Sequence, residues 1–242
     1  MANKIQLVTE NAVYPELSFL DSEARLNDYK EKIAKYGEKA RKTLDVFRFA
    51  NGVVKGSNPF ADVELASADI AMPLQLEHAV RLNPNFFRSS YEDAGLVLKT
   101  NGDSYKENDY IAKNLFRQVQ KRTGKKPAPE CPARISLRGL RLKENDNSAY
   151  GLVFLIGDET EIVYIPEFAG LNHGKKFLRT NKKGVPIFDE AGNRTFYTRD
   201  NGLSRLCLYR SLNLVSYSEN LADSNDDGRV VLVSGEATSR EN

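Results

Sequence analysis

The chain of 242 residues has no tryptophan, only two histidines and only two cysteines. Two cysteines, Cys131 and Cys207, make neither a disulfide framework nor a zinc-binding spacing. His78 and His173 have no ligand-spaced partner, which argues against a metal site or a histidine-based triad. The formal net charge of +2 is too small to argue for a nucleic-acid partner by itself. No apolar run approaches the length that crosses a bilayer, so no membrane span is expected. Residues 1–10 are mixed in character and do not read as a secretory signal. The expectation is a soluble protein made in a reducing cytoplasm, with a phage particle or non-classical export as other destinations.

What is present is ordinary for a globular protein. Hydrophobic residues make up 40% and charged residues 28%, enough for one large core or two small ones. Residues 1–20 hold short apolar pieces broken by Pro15 and read as an extended arm or edge strand. After an N-cap at Asp21 or Ser22, apolar residues fall at Leu26, Tyr29, Ile33, Tyr36, Ala40, Leu44 and Phe47, one helical stripe. This 22–49 helix is nearly heptad-spaced and so is a candidate homo-oligomer seam; the other reading is a helix lying on its own domain. A short helix is expected over 73–82 and a strand around Leu96-Val97-Leu98. A further helix is expected over 106–121, with Tyr110, Ile111, Leu115, Phe116 and Val119 inside and basic residues at its end.

Residues 123–132 are rich in proline and lysine and read as a linker. The fold class expected is therefore α+β, with a helix-rich N-terminal half (1–125) and an antiparallel β-rich C-terminal domain (133–234), followed by a polar tail (235–242). Ile135, Leu137, Leu140 and Leu142 suggest one strand kinked at Gly139. Segments 150–156 and 161–168 flank a turn at 157–160 and read as a hairpin. Segments 185–188 and 194–197 flank 189–193 and read as a second. Val230-Val231-Leu232-Val233 reads as a central strand.

Motifs that could carry chemistry stop short. Gly170 to Lys176 resembles a phosphate loop, but it is one residue short and Lys176 stands where a hydroxyl should hold magnesium. Glu159, Glu161, Asp189 and Glu190 sit at turns, where carboxylates serve local needs. Asp223, Asn225 and Asp227 match the first half of a calcium loop closed by Gly228, but Ser234 stands where a bidentate glutamate belongs. Calcium at Asp223, Asn225 and Asp227 is thus one reading, and an Asp/Asn-rich turn the other. Basic clusters at 30–42, 117–126 and 175–183 are interleaved with apolar residues and suit either a nucleic-acid surface or solvated faces.

The stretch 202–233 reads unlike the rest. One alternating set is a monotonous frame: Leu206, Leu208, Arg210, Leu212, Leu214, Ser216 and, later, Leu221. The other set is Cys207, Tyr209, Ser211, Asn213, Val215, Tyr217, Ser218, Glu219, Asn220, Asp223, Asn225, Asp226 and Asp227. In extended backbone a period of two sends the leucines to one face and the mixed set to the other. Tyrosine, serine and asparagine are also the palette of antibody-like binding surfaces. An amphipathic strand with a polar loop is the plainer reading.

This stretch, closed by Gly228-Arg229-Val230-Val231-Leu232-Val233-Ser234, resembles the variable region of variable proteins of diversity-generating retroelements. In that family, adenines of asparagine codons are randomised. Asn, Tyr, Ser, Asp, Val and Cys are all reached from one asparagine codon that way. Those are the residues at Cys207, Tyr209, Ser211, Asn213, Val215, Tyr217, Ser218, Asn220, Asp223, Asn225 and Asp226; Glu219 departs from the rule. The resemblance covers about the last forty residues. It implies a hypervariable region on a C-type-lectin-like scaffold, although such regions usually contain the tryptophan this chain lacks.

The function expected is binding of a macromolecular ligand, with protein as the partner, and not catalysis. Tyr209 and Tyr217 would be its anchors. The rival classes are a nucleic-acid-binding accessory protein of a mobile element or phage, and an enzyme with a concave pocket holding carboxylates or His173. No cofactor other than calcium is suggested.

Overall fold

The computed structural model describes the backbone of residues 3–8, 12–20, 64–65, 88, 91–137, 139–181, 184–221, 228–234 and 238–239. The helices expected over 22–49 and 73–82, the calcium-loop residues Asp223, Asn225 and Asp227, and Asp226 of the displayed set lie outside the described residues. Among the described residues there is one α-helix, and the chain is mixed α and β with a strand-rich C-terminal part.

The strands, in chain order, are β1 (Asn3–Val8), β2 (Ala12–Leu20), β3 (Glu64–Leu65), β4 (Tyr91–Leu98), β5 (Ala133–Ile135), β6 (Leu140–Glu144), β7 (Leu152–Ile156), β8 (Ile162–Tyr164), β9 (Lys176–Thr180), β10 (Pro186–Phe188), β11 (Arg194–Thr198), β12 (Leu203–Leu208), β13 (Leu214–Ser216), β14 (Gly228–Ser234) and β15 (Thr238–Ser239). The helix, α1, spans Lys106–Thr123. Thirteen strands join one sheet with the path β1-β2-β14-β4-β12-β13-β11-β9-β10, and β6 and β7 form a separate pair. Most pairings are antiparallel; β14 with β4 and β11 with β13 are parallel.

The expected N-terminal extended arm is present as β1 and β2, and β14 takes the central position expected of Val230–Val233, between β2 and β4. A helix-rich N-terminal half is not supported, since the described residues before Tyr91 that fall in regular structure are strands. The main sheet also spans the expected domain boundary at 125–132, because β4 lies before it and pairs with β5 and β12 beyond it.

Three local expectations are corrected. The proposed strand kinked at Gly139 is two strands in different sheets, β5 and β6. The 150–168 hairpin does not form: β7 pairs with β6, while β8 pairs with β5. The turn at 157–160 carries the chain from one sheet to the other, and Arg122 of α1 donates to the Gly157 and Asp158 carbonyls there. The 185–197 hairpin also fails, because β9 sits between its two strands and pairs with both β10 and β11. Its loop crosses over β9. A Cβ on Gly192 would lie 2.7 Å from the Phe177 nitrogen and closer still to its carbonyl, so the crossing requires glycine.

Helix α1 forms where 3.6-residue spacing puts Asn108, Ile111, Ala112, Leu115 and Val119 on one buried stripe. Glu107 and Asp109 stand in its first turn and Lys121 and Arg122 in its last, which complements the helix dipole. The Gly124 N–H caps the Gln120 carbonyl and ends it. The stripe packs into a core with Leu96, Leu98, Ala133, Ile135, Phe154 and Leu203. No helix among the described residues is long and apolar enough to cross a membrane.

Candidate functional site: a cleft at the end of the displayed face

Registers fix which side chains share a face. Leu208 stands opposite Leu214, and Leu214 opposite Phe196. Cys207 stands opposite Val215, and Val215 opposite Tyr197. The first set is buried, as are Leu206, Leu212, Ser216 and Leu221. Tyr197 and Tyr217 are exposed, and Tyr209, Asn213 and Val215 are half-buried. Alternation thus holds from Leu212 to Tyr217, with even positions inward.

The stretch is not extended throughout. Residues 209–213 form the turn between β12 and β13, in which Leu212 adopts a positive φ of 66°. The Leu212 N–H donates to the Tyr209 carbonyl, and Arg194 Nε donates to the Leu212 carbonyl at 2.6 Å. A leucine in this region is sterically strained by roughly 1–2 kcal/mol; its burial and the Arg194 bond oppose that. Arg210, assigned to the frame, is instead exposed at this turn, with its guanidinium 5.3 Å from the Tyr209 ring centre.

Cys207 does not belong to the displayed set. It is 4% exposed, because β12 is a central strand with Asp93 of β4 on one side and Val215 on the other. Other members are tied into the fold. Asn213 Oδ1 accepts the Thr195 N–H at 2.7 Å, and its Nδ2 donates to Ser211 Oγ at 2.8 Å. Ser218 Oγ accepts from the buried Arg205 at 3.2 Å. Asn220 Oδ1 lies 3.4 Å from the Tyr150 hydroxyl, whose nearer acceptor is Asn108 Oδ1 at 2.8 Å. Burial holds Tyr150 in its neutral, proton-donating form by pushing its ionisation well upward. Asn108 in turn donates to the Glu219 carbonyl, which fixes the chain just beyond the displayed tyrosine.

At the end of this face lies a cleft of about 430 Å³. Tyr217, Glu219 and Ser104 contribute to one part of its lining, and His173 with residues 198–201 to the rest. The His173 ring is 5.4 Å from that of Tyr217 and 5.6 Å, edge-on, from that of Tyr197. Its Nδ1 lies 2.7 Å from the Thr198 carbonyl oxygen and 3.2 Å from the Thr198 nitrogen. The carbonyl contact calls for an N–H on Nδ1 and the Thr198 N–H for a lone pair there, so with either tautomer the ring is held to the main chain of Thr198 through this one nitrogen.

Beneath the cleft is a buried polar layer. Asp103 and Arg199 pair at 2.8 Å, with side chains 0% and 7% exposed. Asp103 also accepts the N–H groups of Tyr105 and Leu203. Arg199 further donates to Ser104 Oγ at 3.1 Å and the Leu203 carbonyl at 3.2 Å. Lys99, also buried, donates to Thr198 Oγ1 at 2.7 Å and to the Arg199 carbonyl. Desolvation lowers the Lys99 pKa to about 8, against the attraction of Asp200.

Sequence reasoning named His173 and Tyr217 but missed Lys99, Asp103, Arg199 and Asp200. The available signal was weak: a lysine directly after Leu96-Val97-Leu98, one residue beyond the end of the core strand β4. The phosphate-loop-like segment runs from a 3-10 turn (Gly170–Asn172) into β9 and precedes no helix. Within the basic clusters, Lys175 donates to Asn172 Oδ1 and Lys176 to Thr195 Oγ1. No group of three or more His, Cys, Asp or Glu able to hold a metal occurs among the described residues. Compared with known proteins, the chain matches no family model, no curated protein and no solved structure.

Proposed function

We propose that this protein is a binding protein of receptor type, whose ligand-contacting surface is built from the mixed residues that follow β12 and is diversified on a fixed scaffold. The observation that carries this reading is the split within one short segment: Leu208, Leu212 and Leu214 are buried, while Tyr217 is 52% exposed and Tyr209, Ser211 and Val215 reach the surface. A surface can vary without loss of the fold only if its neighbours in sequence hold it from behind. Tyrosine at such positions supplies wide contact area with few rotatable bonds.

Binding is favoured over catalysis by the bonding of His173. Among the described residues, its hydrogen bonds go to the main chain of Thr198 and not to a hydroxyl or thiol. A nucleophile–base pair would need that contact.

The retroelement origin is tested by the DNA beside the gene. A reverse-transcriptase gene, with a near-copy of codons 203–229 differing only at adenines, is expected there. Flanking DNA without such a copy overturns diversification and leaves a fixed binding surface.

A further inference from the structure

The cleft has a chemistry of its own, and its charges decide what fits. Two carboxylates, Asp200 and Glu219, line it from exposed positions. Among the described residues, the one cationic lining residue is Arg199, and its guanidinium is matched by Asp103 and bonded to Ser104 and Leu203. Lys99 lies underneath, with its ammonium bonded to the neutral oxygens of Thr198 and the Arg199 carbonyl and attracted by Asp200. It therefore offsets part of the Asp200 charge and leaves Glu219 without a matching cation among the lining residues described. What faces outward is therefore negative, and beside it stand the half-exposed rings of Tyr217 and Tyr197 around His173. Aromatic faces next to carboxylates attract a cation twice over, through the ring quadrupole and through charge. An anion would meet two like charges.

We propose that the cleft seats a basic side chain, the guanidinium or ammonium of an arginine or lysine, presented by a protein ligand. The partner's identity as a protein rests on the display reading above. The constant part of the anchor is His173, Asp200 and Glu219. The first two lie outside the mixed stretch, and Glu219 is the position in it that departs from the adenine rule. Only Tyr217 belongs to the variable set. A fixed anchor for a cation beside variable neighbours would keep one class of partner while changing which member is bound.

The experiment is a titration of the full chain, followed through the ring resonances of His173, Tyr197 and Tyr217. The probes are n-butylguanidinium and n-butylammonium, with n-butyrate and methyl glucoside as comparisons. The cations are expected to shift those resonances saturably, with dissociation constants on the order of millimolar. Asp200→Asn/Glu219→Gln is expected to weaken them about fivefold and Tyr217→Ala about threefold, while Glu190→Gln changes nothing. Raised salt weakens them further. Shifts from butyrate or the glucoside in place of the cations, equal cation binding by the Asp200→Asn/Glu219→Gln variant, or no shift from any probe overturns the proposal. The outcomes separate the two readings. Failed cation binding beside an adenine-differing repeat removes the anchor and keeps the display; cation binding without the repeat does the reverse for diversification.

Discussion

Asp103 and Arg199 are 96 positions apart in sequence and 2.8 Å apart in space, and both are buried. Their pairing joins the loop that leads into α1 to the loop between β11 and β12, and so sets the floor of the cleft. Desolvating two charges is unfavourable, and the pair is sustained by the further bonds each makes to main chain. Asp103→Ala would leave a buried guanidinium without its counter-charge and two N–H groups without acceptors. A loss of about 3–5 kcal/mol in urea unfolding is expected. Adding Arg199→Met should return part of that loss, giving a coupling energy above about 1 kcal/mol in a double-mutant cycle.

Lys99 makes stability depend on pH in the alkaline direction. Its folded pKa of about 8 lies below the unfolded value of 10.5. Between these values the unfolded chain holds the extra proton, so stability rises with pH across that window. The full span is about 3 kcal/mol, because each pKa unit corresponds to 1.36 kcal/mol. The difference between the native chain and Lys99→Met, measured by urea unfolding from pH 7 to 10.5, should carry this slope. Asp200→Asn removes the attraction that raises the Lys99 pKa, so its rise should begin below pH 8.

The mixed segment should divide sharply under substitution. Leu208→Ala and Leu214→Ala remove buried side chains from the sheet's inner face and should cost about 2–5 kcal/mol each. Tyr217→Ala, at an exposed position, should stay within about 0.5 kcal/mol. Asn213→Ala should fall between, at about 1 kcal/mol, because its Oδ1 holds the Thr195 N–H. Equal losses at Leu214 and Tyr217 in thermal unfolding would remove the distinction between frame and display.

Local pattern made α1 legible, because Ile111, Leu115 and Val119 repeat at helical spacing and the basic residues mark its end. The inward leucines of β12 and β13 were legible from a period of two. Strand partners were not. The segments 150–156 and 161–168 look like a hairpin by proximity and turn composition, yet β7 and β8 find other partners at greater separation. Pairing is decided by which faces can be buried together, and a linear pattern does not contain that. The cleft was hidden for a related reason. His173 has no neighbour of interest in sequence, but Tyr197 and Tyr217 reach it through the parallel pairing of β11 with β13. Lys99 looked like the polar end of an apolar run, although one residue beyond β4 it is still buried and bonded to Thr198 and Arg199.

Gly170 gives a test of how tightly the cleft wall is held. A Cβ there would lie 2.9 Å from the Asp200 Cα and closer still to its carboxylate. Main-chain atoms cannot swing aside as a side chain can, so Gly170→Ala must move the loop that carries Asp200. A cost of about 1–3 kcal/mol is expected, as for other overpacked sites. The amide resonances of Asp200 and Asn201 should shift, while those of Ile111 and Leu115 in α1 remain in place. Moving the Asp200 charge away also removes an attraction on Lys99. The alkaline rise in stability should then begin at a lower pH in Gly170→Ala than in the native chain. A variant that loses stability but keeps the Lys99 titration unchanged would mean that the loop carrying Asp200 yields without moving its carboxylate.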